Sequence, residues 1–163
     1  MTGAVSFYDV VLWVHVTAVV VGFGGTFVYG VLLTVATRSA PRSLPGVLAG
    51  IRANDRSLVT VGGVVVFVTG IYLALDRWEL SEFFISWGFL AVIVLLGLVH
   101  AFFLPTEGRA LKAAERDIEA AGEGGVDLGE EFARANRKLA IMGAVAGLII
   151  VLTVYVMVAK PFL

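Results

Sequence analysis

Leu139 to Ala159 reads LAIMGAVAGLIIVLTVYVMVA, an uncharged run closed by Lys138 on one side and Lys160 on the other. Coiled as a helix it would extend about 31 Å at 1.5 Å per residue. That length matches the roughly 30 Å hydrocarbon core of a bilayer. Three earlier runs read the same way, from about Phe7 to Thr37, Leu58 to Leu75 and Phe83 to Leu104. Only Asp9, near the start of the first, interrupts them. Short alternating strands are absent, which argues against a β-barrel. The expected fold is all-α: an integral membrane four-helix transmembrane bundle, one membrane domain over residues 1–163.

The composition points the same way. Of 163 residues, 59% are apolar and 15% charged, against roughly 45–50% and about 25% in a soluble domain. The abundance of Val, Leu, Ile and Phe excludes a disordered chain. With no cysteine, disulfides, thiolate metal sites, iron–sulfur clusters and cysteine nucleophiles are excluded. A net charge of -1 without a basic tract gives no footing for nucleic acid. Met1 to Ser6 carries no Lys or Arg, and the run that follows is too long for a signal sequence, so no cleaved signal is expected.

Lys and Arg in the loops set the direction. The first loop holds Arg38, Arg42, Arg52 and Arg56, and the third holds Arg109, Lys112, Arg116, Arg134, Arg137 and Lys138. The second holds only Arg77, beside Asp76, Glu79 and Glu82. Loops one and three are therefore expected in the cytoplasm, with both termini outside, in a multi-pass protein of the bacterial inner membrane. Trp13, Trp78, Trp87, Tyr8, Tyr155 and Lys160 then gather at the outer boundary as an interfacial belt.

In loop one, Pro41, Pro45 and Gly46 predict a turn and a short interfacial helical piece, with Asn54 or Asp55 capping the second span. In loop three, Leu111, Ala114, Ile118 and Ala121 repeat at helical spacing until Gly122, Gly124 and Gly125 break the pattern. Asp127 and Glu130 then form a capping pattern for the last helix. A cytoplasmic helical hairpin over about 105–138 follows from these signals. Within the spans, small residues mark the packing faces: Ala18, Gly22 and Gly25, then Gly63 and Gly70, then Gly97, then Ala140, Gly143, Ala144 and Gly147. They serve packing within one bundle, or, for Gly143 and Gly147, the seam of a homodimer.

Both histidines fall within spans, and an intramembrane ionisable group is a functional candidate. His15 shares the small-residue face of span one, with Gly22 two turns further on and Thr26 beyond it. His100 lies near the cytoplasmic end of span three. Neutral imidazole can ligate haem, although either ring can equally bond to a neighbouring helix. The two lie at depths of about 12 Å and about 25 Å from the outer side, so one haem between them is not expected. No acidic residue lies at mid-membrane, which disfavours a proton-driven transporter. No catalytic signature is present.

Tyr8, then Trp13-Val14-His15, Gly22 and Gly24-Gly25 resemble the W-x-H opening helix of the small HemJ/CopD-like membrane proteins and of their uncharacterised four-span branch. Arg56 at span two, Val99-His100 at the end of span three, Phe132 with Asn136, and Lys160-Pro161 extend the resemblance over nearly the whole chain. Trp87-Gly88-Phe89-Leu90-Ala91 stands where HemJ has W-L-H-x-K, and Arg137 where a Glu follows the matched Asn. The resemblance implies a haem b-binding or redox-associated protein, with His15 as the iron ligand and His15, Gly22 and His100 as the cofactor-binding candidates. Copper handling belongs to the CopD side of the group. Two other functions stay open: a cofactor-free subunit that packs against a membrane partner, and a small transporter or channel. The bilayer itself is the expected partner in every case.

Overall fold

A computed structural model describes residues 5–161, so the outermost ends of the 1–163 domain lie outside the described residues. The described chain is helical apart from short connections, with no strand among these residues. Its helices are α1 (Phe7–Phe23), α2 (Tyr29–Ser39), α3 (Leu44–Asn54), α4 (Thr60–Arg77), α5 (Phe83–Leu98), α6 (Leu104–Ala121) and α7 (Glu130–Ala159). Tight or wide helical turns join α1 to α2, α3 to α4 and α5 to α6, so the seven helices form four rods. The rods cover Phe7–Ser39, Pro41–Arg77, Phe83–Ala121 and Glu130–Ala159, and each is long and apolar enough to cross a membrane.

The first rod starts at a reciprocal cap. Ser6 Oγ accepts the Asp9 amide at 3.2 Å while Asp9 Oδ2 accepts the Ser6 amide at 3.0 Å. Asp9 is thus the start signal of α1, where its charge also meets the positive helix end. At the other extreme, Lys160 closes α7 with a positive φ of 43° and Pro161 prevents continuation.

Rods of 33, 37, 39 and 30 residues are longer than the roughly 20 needed to cross. The excess projects at one end, past about Tyr29, before Leu58, past Leu104 and before Leu139, and carries most of the Arg and Lys. The first run leaves the crossing layer short of Thr37, because Leu33 and Ala36 pack into the projection's core. The hydrocarbon-crossing stretches are the apolar runs between those points and the opposite end. Two expectations change here. Loop one shrinks to a turn at residues 40–43, because α3 runs into α4 without a break. Asn54 and Asp55 therefore sit inside a rod and cap nothing; five residues, Asp55–Val59, form a π turn instead. A second π turn at Val99–Phe103 precedes Pro105. The wider turn absorbs a missing amide that would otherwise break the helix.

The best-sealed core lies in the projection. Leu44, Leu48, Ile51, Ala110, Ala113, Ala114 and Phe132 are all buried there, from α3, α6 and the start of α7. The expected hairpin of α6 and α7 forms, with α3 packed on α6 as a third member. Inside the membrane the contacts are closer and leaner. A Cβ on Gly62 would lie 2.8 Å from the Gly22 Cα, so α1 and α4 cross backbone to backbone. Gly63 makes room for Leu96, and Gly147 meets Phe27 of the same chain. Gly97 and Gly143, also expected on packing faces, have open space around them.

Candidate functional site

The histidines come first, as the residues singled out from sequence. His15 Nδ1 lies 2.8 Å from Thr69 Oγ1 on α4. The Thr69 hydroxyl itself donates to the Val65 carbonyl at 2.6 Å. With that proton committed, His15 must be the donor through Nδ1, which leaves Nε2 with its lone pair. The ring lies against Gly70, where a Cβ would sit 3.5 Å from His15 Cε1. His100 Nε2 lies 3.3 Å from Thr60 Oγ1, at the other end of α4, and is exposed. Thr60 and Thr69 are separated by about 13 Å of helix rise, so the two imidazoles are held well apart. Gly22 faces neither of them and is closed off by Gly62. Among the described residues, no group of three or more His, Cys, Asp or Glu could hold a metal ion.

A second constellation lies at the base of the projection, just beyond the hydrocarbon-crossing stretches. Asp55, Thr106 and Glu107 are its buried polar members, and Glu107 is only 1% exposed. The α3–α4 π turn carries Asp55, and the first turns of α6 carry Thr106 and Glu107. Tyr29, at the start of α2, donates its hydroxyl to Asp55 Oδ1 at 2.8 Å. Asn54 Nδ2 donates in turn to Tyr29 Oη at 2.6 Å. Arg52 donates to the Leu104 carbonyl and lies against Gly108, where a Cβ would come within 2.8 Å of the guanidinium. Glycine at 108 is what lets that cation approach.

Glu107 Oε2 has no hydrogen-bond donor in reach, and the group beside it is a second carboxyl, Asp55. Two carboxylates cannot bond to each other unless a proton lies between them. Burial and the adjacent Asp55 push Glu107 up to about 8, against the partial opposition of Arg52. Burial also raises Asp55, which the Tyr29 and Glu107 hydrogen bonds oppose. Burial and mutual repulsion thus favour a proton held by the pair, whose Asp55 also accepts from Tyr29. A line of donors results: amide to phenol to carboxylate, met by a carboxylic acid from the other side.

None of this second site was expected. The apolar stripe Leu111, Ala114, Ile118, extended one turn back, falls on Glu107. That spacing was the available signal.

The chain belongs to the DUF2269 family, described as predicted integral membrane proteins, whose model matches residues 9–161. No curated protein and no solved structure matches it.

Proposed function

Taking the chain as a member of this integral membrane family, we propose that it binds and releases a proton at the Asp55–Glu107 pair, with the basic end in the cytoplasm of a bacterial cell. The observation that carries the reading is Glu107, sealed from solvent with an unpartnered oxygen beside a second carboxyl. A buried carboxyl pair is a group whose charge state changes its surroundings, and such groups concentrate at functional sites. Its position, at the boundary and not at mid-membrane, suits a proton-binding station that faces one compartment. Infrared difference spectra of the protein in lipid nanodiscs test this. A protonated-carboxyl band should be present at pH 6, fade as pH rises past about 8, and be missing from Glu107→Gln. No such band at pH 6 overturns the reading.

A second reading keeps haem b at His15, as the HemJ/CopD-like resemblance implies. What favours it is the Nδ1–H bond to Thr69, since a ligating imidazole usually donates its other nitrogen's proton. The fit is incomplete: the Gly22 face is filled by Gly62, and His100 is too distant to be the opposite ligand. Protein from haem-replete cells should then show a Soret band that His15→Ala removes. Colourless protein excludes it.

A further inference from the structure

We infer that the cleft between α6 and α7 is a binding site for the phosphate of an anionic phospholipid. The cleft has a volume of about 360 Å³ and is lined by Thr106, Arg109, Glu131, Arg134, Ala135 and Lys138. Its cations are poorly committed. Arg109 donates only within its own helix, to the Pro105 carbonyl at 3.4 Å and Thr106 Oγ1 at 3.3 Å. Lys138 has no ion-pair partner among the described residues. Arg134 pairs with Glu130 at 2.6 Å, but both side chains are largely exposed, and such a surface pair is worth little. Glu131, the one acid in the lining, is engaged by Arg116 at 2.8 Å. What remains facing the cleft is positive.

The depth identifies the source of the anion. Lys138 immediately precedes Leu139, where span four begins, and Arg109 lies about 7 Å beyond Leu104 along its helix. Headgroups occupy that layer. The same face of α7 continues into the membrane. Glu131, Arg134, Lys138, Ile141, Val145 and Leu148 follow one another at spacings of three and four, so they share one side of the helix. Ile141, Val145 and Leu148 are all exposed. One helix face thus offers cations at headgroup depth and an uncovered apolar track below them. A phosphate tied to acyl chains matches both parts, whereas a soluble phosphate would use only the first. Basic pockets between membrane helices are suited to such headgroups.

Native mass spectrometry of the protein released from nanodiscs of equal phosphatidylglycerol and phosphatidylcholine tests this. Retained lipid should be mostly phosphatidylglycerol, and Arg109→Gln with Lys138→Gln should reduce its retention about fivefold per charge removed. Arg38→Gln with Arg56→Gln removes the same charge from the same end outside the cleft and should leave retention unchanged. Lys138→Gln alone, at an exposed position, gives the same reading if the double variant fails to fold. Equal loss in both double variants, or no preference for the anionic lipid, overturns the site. So does displacement of the lipid by millimolar inorganic phosphate, which would mark a soluble ligand.

Discussion

Glu107 makes the protein's stability depend on pH in a defined direction. Folding holds its carboxyl at about 8, well above the ordinary value of 4.5. Between those limits the folded chain keeps a proton that the unfolded chain releases. Stability is therefore full at low pH and falls as pH rises through about 8, by on the order of a few kcal/mol for a site this buried. Thermal unfolding in detergent should show a melting temperature that drops from pH 5 to pH 9. Glu107→Gln, which keeps the shape and needs no shared proton, should flatten that slope. Asp117 contributes the opposite trend, because the Gly129 amide holds its carboxyl below the usual range; its share is lost as pH falls. His15 was legible from sequence because an imidazole inside an apolar run stands out. Glu107 was not picked out, because it lies among other charged residues; its place one turn before the Leu111 stripe marked a helix face, but not its seal from solvent.

At the scale of helices, glycine count and glycine role diverge. Gly62 meets backbone, and backbone cannot move aside, so Gly62→Ala should force α1 and α4 apart at a cost of about 1–3 kcal/mol. Gly143→Ala fills open space and should be neutral or slightly stabilising. Melting temperatures of the two variants in one detergent check the contrast. Small-residue spacing marked packing faces on both helices without saying which helices meet, and on α4 it pointed to Gly63 and Gly70, not Gly62. Spacing identifies a face, not which residue sits at the crossing. The start of α7 teaches a similar lesson. Asp127 and Glu130 suggested a local cap, whereas the observed N-cap is Gly129, which has no side chain to offer. Asp117 on α6 supplies the acceptor instead, 2.8 Å from the Gly129 amide. A cap borrowed from twelve residues away has no local sequence signature. Hydrogen exchange should show it: Asp117→Ala should speed exchange of the amides at the start of α7 and leave those beyond Leu139 unchanged.

For the whole molecule, the four rods were readable because hydrocarbon demands long uncharged runs and each run is present. The continuity of α3 with α4 was hidden by Asn54 and Asp55, which read as the cap of a separate span, and Pro41, Pro45 and Gly46 read as a turn with only a short helical piece after it. Pro45 in fact falls in the first turn of α3, where a missing amide costs nothing. The orientation can be tested directly, because the chain has no native cysteine. Ser39 lies at the basic end and Ser81 at the opposite end, and both are exposed. Ser81→Cys should react with a membrane-impermeant maleimide on intact spheroplasts. Ser39→Cys should react only after lysis, and the reverse pattern would invert the topology.

The sealed core of Leu44, Leu48, Ala110 and Phe132 lies where water, not lipid, is the competing solvent. Only there does apolar burial drive packing in the ordinary way. The membrane segments depend on close van der Waals fit instead, and only 11% to 33% of each span's apolar window is buried. One continuous chain is thus governed by two solvents. Urea added to proteoliposomes should loosen the aqueous end first and leave the spans inserted. A harsh detergent should do the reverse, parting the spans while the aqueous end stays clasped.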